Sequence, residues 1–164
     1  MIDTHCHLDL YRDPYSVAKA IEREKIITIA VTNLPSHFDL TQNHVAKYKR
    51  IRPAIGLHPL LAKQHESELF LFRQLIDRTS YIGEVGLDFS KYGIYTKEIQ
   101  LMSFQRVLDY AKDRPRVISL HTRGAEEIVL EMIDRYDSYR GVFHWYGGSL
   151  KTWSKLLLRD IISL

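Results

Sequence analysis

Six short apolar runs, each rich in β-branched or aromatic residues and too short for a helix, begin near Ile2, Ile26, Arg52, Tyr81, Val117 and Val142. Such runs read as buried strands. The segments between them carry helical periodicity instead. Residues 16–24 place Val17, Ala20 and Ile21 on one side, and residues 98–112 keep Ile99, Met102, Phe104, Val107, Leu108 and Ala111 near one face. Residues 126–136 do the same with Ile128, Val129, Met132 and Ile133. Strands and helices alternating at about 27 residues per unit predict βα units and a parallel sheet. No Gly/Ser linker or low-complexity tract divides the chain, so residues 1–164 read as a single α/β domain.

The ends of these runs carry the chemistry. His5 and His7 close the first, Asn33 the second and His58 the third. Glu84 follows Tyr81-Ile82-Gly83, His121 follows Leu120, and His144 follows Val142-Phe143. In parallel α/β folds the C-terminal strand ends open on one rim, where sites are built. Most of the runs therefore deliver a His or Glu to the same rim.

Composition narrows the setting. Hydrophobic residues at 45% and charged residues at 26% suit a globular protein with a core of its own. No apolar run approaches the ~20 residues needed to cross a bilayer. The opening MIDTHCHLDLY lacks the basic and then apolar layout of a signal peptide. A single cysteine, Cys6, rules out an internal disulfide and suits a reducing compartment, so the expected location is cytoplasmic. The formal charge of +3 is compatible with an anionic partner without requiring one. Residues 47–52 (KYKRIR) form the densest basic run. They read either as a phosphate-tracking stretch or, more simply, as a solvated helix end.

His5 and His7 stand two apart on an extended segment, so both imidazoles leave one face while Cys6 points away as a small core residue. Two imidazoles on one face suit one cation, although either alone is as well read as structural. Glu84 lies in GEVGLD, where Gly83 and Gly86 permit close backbone approach and a turn after the strand. A carboxylate has two oxygens and can bridge two cations. His121 and His144, each after an apolar run, would complete a second ion's shell with Glu84. Two cations together activate a water and clamp the attacking and leaving oxygens of a displacement. No phosphate-binding GxxxxGK[ST] loop, GxGxxG turn or Ser-His-Asp spacing competes with that reading. Asp3, Asp9 and Asp88 also lie near the rim, where supporting or turn roles are expected.

Taken in order, IDTHCHLDLY, AIGLHP, YIGEVGLD, ISLHTRGA and VFHWYGGS resemble the successive motifs of TatD-type metal-dependent deoxyribonucleases, amidohydrolase-group TIM barrels. The HCHLDLY start with Asp13-Pro14 and the aromatic VFHWYGGS are most similar to the TatD-like nucleases of Qat anti-phage defence operons. The resemblance implies two divalent cations (Mg, Mn or Zn): the first on His5 and His7, the second on His121 and His144, with Glu84 bridging. It implies hydrolysis of DNA phosphodiesters, with Glu84 and His58 as catalytic residues and His58 also touching substrate phosphate. Arg123 could meet a phosphate oxygen or stay solvated, and Trp145 could stack on a base or pack in its loop.

One family element has no counterpart here, namely the Asp ligand at the end of the eighth strand. Residues 159–164 read at best as the opening of a seventh strand, whereas eight units would need roughly 216 residues. The expected fold is thus an incomplete (β/α)8 barrel of about six βα units, with strand seven mostly missing and strand eight absent. Its open sheet edge would invite a partner chain or a second copy. Two further readings stay open: a related metal hydrolase of a small ester or amide, and a catalytically silent remnant or binding subunit.

Overall fold

In the computed structural model, which describes residues 1–136, 139–151, 154 and 162–163, the apolar runs form parallel strands neighbouring one another in chain order. The strands are β1 (Ile2–Cys6), β2 (Ile27–Ala30), β3 (Ile51–Pro53), β4 (Ile55–Leu57), β5 (Tyr81–Asp88), β6 (Arg116–Arg123), β7 (Tyr139–His144) and β8 (Ile162–Ser163). Hydrogen bonds order them β1-β2-β3 and β4-β5-β6-β7-β8. β3 and β4 are the single third run of the sequence, interrupted at Ala54, whose N–H donates to the Ala30 carbonyl at 2.8 Å. That run pairs with β2 on one side and β5 on the other, which joins the two sheets. β8 pairs with Val142 and Phe143, so a seventh strand does begin there. The rest of the expected opening, residues 159–161 and 164, lies outside the described residues.

The sheet curls. His5 on β1 reaches Ser119 on β6 at 2.8 Å and lies flat on His144 of β7. Strand alternation then separates two faces. On the inner face Ile29, Val31 and Ala54 form a small cluster with Tyr81 and Val117. On the outer face Ile55, Leu57, Ile82, Val85, Leu87, Ile118, Leu120 and Phe143 bury against helices through Phe38, Phe72 and Phe104. Each such side chain contributes on the order of 2 kcal/mol of hydrophobic stabilisation. Cys6 packs outward with Ala18, Ile21 and Ala30, and burial pushes its thiol up to about 11, so it is an inert core residue as expected.

The helices are α1 (Pro14–Arg23), α2 (Pro35–Val45), α3 (His65–Leu75), α4 (Lys97–Ala111) and α5 (Glu126–Ile133). Asp13-Pro14 starts α1 by a simple device: Asp13 Oδ1 accepts from Ser16 N–H at 3.1 Å, and Pro14 occupies the first turn, where no donor is needed. Periodicity alone does not mark α2 and α3. In α2 the apolar positions are few and in α3 they crowd into Leu69–Phe72, and α2 gains its N-terminal partner from α3, where the Glu68 carboxylate accepts from Ser36 N–H at 3.0 Å and its hydroxyl at 2.8 Å.

One sequence expectation is corrected here. GEVGLD does not turn after the strand; it lies inside β5, and Glu84 is buried at 3% exposure. The glycines serve close approach instead. A Cβ on Gly86, where φ is +136°, would stand 2.1 Å from the His121 carbonyl oxygen, and one on Gly83 would meet the Ser119 Cβ at 2.7 Å.

Candidate metal centre

Every strand exit from β1 to β7 presents a residue at the same end of the curled sheet, and Glu84 lies at the centre. Its carboxylate divides its contacts. Oε2 lies 3.0 Å from His7 Nε2, 3.6 Å from His5 Nε2 and 3.5 Å from His58 Nε2. Oε1 lies 2.8 Å from His121 Nδ1. Two groups of donor atoms share the carboxylate and could each hold a metal ion: His5, His7 and Glu84, and His58, Glu84 and His121. His144 belongs to neither group. Its ring stacks on His5 with centroids 3.6 Å apart and planes 2° from parallel. Asn33 stands beside His58, whose N–H donates to the Asn33 carbonyl at 2.8 Å.

Supporting contacts aim the rings. His5 Nδ1 and the Ser119 hydroxyl are 2.8 Å apart. His121 Nε2 donates to Asp88 Oδ2 at 2.8 Å, and Asp88 is fully buried. Asp3 turns back to accept from the His5 N–H at 3.1 Å, and Asp9 faces His37 at 3.7 Å. Asp88 and Asp3 thus take the supporting and turn roles expected of rim carboxylates, whereas Asp9 faces His37, which belongs to neither donor group. Ser119 was not singled out in the sequence, though it shares the inward parity of His121 two residues later. Gln100, which holds Asp88 from α4, carries no sequence signal at all.

The charges follow from this packing. Burial alone would raise the Glu84 pKa, yet the imidazoles of His121, His5 and His7 packed around it, with His58 beside them, hold the carboxyl far below its usual range. Burial likewise works against Asp88, and its bonds with Ser90 and His121 lower it nonetheless. His121 is opposed by burial but raised by the two carboxylates that flank it. Burial takes His58 down to about 4, and it also lowers His144, with His5 adding to the effect. His121 makes the demand of the site explicit. With Nε2–H given to Asp88, Nδ1 and Glu84 Oε1 face each other as two acceptors at 2.8 Å, an arrangement that requires a proton or a metal cation between them. The donor set, imidazole nitrogens with one carboxylate, suits first-row divalent ions.

Two other rim residues flank the centre. Trp145 follows His144 with a positive φ of 50°, lies nearly parallel to its ring at 5.1 Å and is 84% exposed. Arg123 is exposed at the end of β6, where its carbonyl accepts from Phe89 N–H at 2.8 Å. The basic run at 47–52 leads from the end of α2 into the start of β3, at the opposite end of the strands from the histidines.

Comparison with known proteins places this geometry. An uncharacterised metal-dependent hydrolase of Haemophilus influenzae is 32% identical over 170 residues, covering 94% of this chain and 65% of that protein. The human deoxyribonuclease TATDN3 is 25% identical over 167 residues, covering 90% of this chain and 61% of its own length. The crystal structure of YJJV, a TatD homologue of Escherichia coli, superposes with a TM-score of 0.84 at 24% identity, over 99% of this chain and 66% of that one. The chain thus spans just under two thirds of the length of these relatives, and its parallel βα architecture is that of their TIM-barrel fold. The family model of TatD related DNases matches residues 2–164, and the chain belongs to that family.

Proposed function

We propose that this chain is a two-cation phosphodiesterase acting on DNA, with Glu84 bridging the cations. The division of the Glu84 carboxylate between His5/His7 on Oε2 and His121 on Oε1 carries this reading. Divalent cations bound there, Mg, Mn or Zn, supply an activated water and neutralise charge on the phosphate. The chain's own residues do the rest. His5 and His7 would hold the first cation, and His121 and His144 the second, His144 standing at the rim stacked on the His5 ring. His58 keeps a proton on Nε2 and donates it as a hydrogen bond to a phosphate oxygen. Arg123 offers a planar cation to a neighbouring phosphate, and Trp145 offers an exposed face on which a base stacks. The names of the relatives support DNA as the substrate. The single buried thiol of Cys6 fits a cytoplasmic setting.

The deciding experiment is hydrolysis of a labelled DNA oligonucleotide by the purified chain with Mn and with EDTA. Cleavage that requires Mn and falls on the order of 10³-fold in Glu84→Ala is the expected result. Hydrolysis of a small ester with no DNA cleavage would overturn the choice of substrate, and metal-independent cleavage would overturn the mechanism.

A further inference from the structure

Glu84 is faced by histidines whose outer nitrogens have different partners, and the partner dictates which nitrogen carries the proton. For His121 that partner is Asp88 Oδ2, 2.8 Å from Nε2. A carboxylate only accepts, so Nε2 is protonated and Nδ1 turns its lone pair towards Glu84. For His58 the polarity is reversed. The Leu60 N–H donates to Nδ1 at 3.2 Å. A backbone amide only donates, so the lone pair is spent there and the proton sits on Nε2, the nitrogen directed at Glu84. The serine hydroxyl behind His5 can donate or accept and imposes neither state.

Asp88 is itself held on all sides. Its Oδ1 accepts from Ser90 N–H at 2.9 Å, and its own N–H donates to Gln100 Oε1 at 2.8 Å. Gln100 is fully buried and donates in turn to the Gly93 carbonyl at 2.7 Å and the Thr96 hydroxyl at 3.0 Å. Both Asp88 oxygens therefore accept. An asparagine in its place must set an N–H against either Ser90 N–H or His121 Nε2–H, unless the imidazole changes tautomer.

We propose that Asp88 is a positioning residue that commits His121 to bind a cation through Nδ1. The Leu60 amide commits His58, a member of the same donor group, to the opposite role of hydrogen-bond donor. The proposal rests on the two-cation reading above and sharpens it: of the two histidines in the donor group with Glu84, only His121 would be a ligand.

Zinc titration and long-range ¹H–¹⁵N spectra of the histidine rings test this together. His58→Ala should keep both zinc equivalents within about twofold, whereas His121→Ala and Asp88→Asn should weaken one of them by about 10- to 100-fold. In zinc-loaded wild type, His121 should show a protonated Nε2 and a zinc-shifted Nδ1, and His58 a protonated Nε2 with no zinc shift. Loss of zinc in His58→Ala matching that in His121→Ala overturns the proposal, as does a zinc-shifted His58 or unchanged binding by Asp88→Asn. The wild-type spectrum decides the point even where Asp88→Asn does not melt cooperatively. A wild type that takes up no zinc overturns the two-cation reading. The metal-free spectrum still tests the polarity, and a proton on His58 Nδ1 overturns it.

Discussion

At the scale of single residues, Glu84 is the position with the fewest substitutes. Its two oxygens serve different imidazole groups, and a carboxamide reproduces only one of them. Glu84→Gln should therefore lower zinc uptake from two equivalents to at most one, read by calorimetry, while a melt in EDTA stays cooperative. Gly86 is constrained sterically rather than chemically. Its φ of +136° and a Cβ position 2.1 Å from the His121 carbonyl oxygen leave no room for a side chain. Strain and overpacking together set the cost of Gly86→Ala at about 3 kcal/mol, measured as a shift in urea midpoint.

At the scale of elements, α4 supports the site from outside the sheet. Phe104 is 2% exposed in the outer-face core, and Phe104→Ala should cost about 3–5 kcal/mol by urea unfolding. Zinc affinity of the fraction that remains folded should be unchanged, because Phe104 touches none of the donor groups. The strands were readable because buried parallel strands favour β-branched runs, of which residues 26–31 (IITIAV) are the fullest. The position of Glu84 inside β5 was not readable. Two glycines look like a turn in sequence, and only the neighbouring strand shows that they admit its carbonyl. The rim residues themselves were legible from their place after each run. Their pairings were less so. Nothing in VFHWYGGS says that His144 stacks on His5, and nothing in residues 97–111 marks Gln100 as the residue that fixes Asp88. Such contacts join residues far apart in the chain and leave no local periodicity.

At the scale of the whole molecule, protons and metal ions compete for one set of imidazoles, so stability and cation binding are linked through pH. Without metal, the folded chain keeps His58 near 4 and also holds His65 and His144 below their ordinary value, mainly through burial. The unfolded chain binds protons on these groups from about pH 6.5 downwards. For a lowered histidine, the stability is present above the unfolded pKa and is lost as pH falls towards the folded one. His121 works in the opposite sense: its folded pKa is raised, so its contribution is present in acid and is lost as pH rises through that value. Three groups oppose one, and His58 alone accounts for roughly 2 kcal/mol between pH 7 and pH 5. In EDTA the melting temperature should therefore fall from pH 7 to pH 5, before Glu84 and Asp88, both held low, begin to protonate. Zinc at 100 times its dissociation constant should add about 2.7 kcal/mol at pH 7. That increment should shrink at pH 5, because His121, whose pKa is raised, must then release a proton before it can bind metal. A zinc-induced rise in melting temperature that is the same at both pH values would show that the stabilising ions bind somewhere other than these imidazoles.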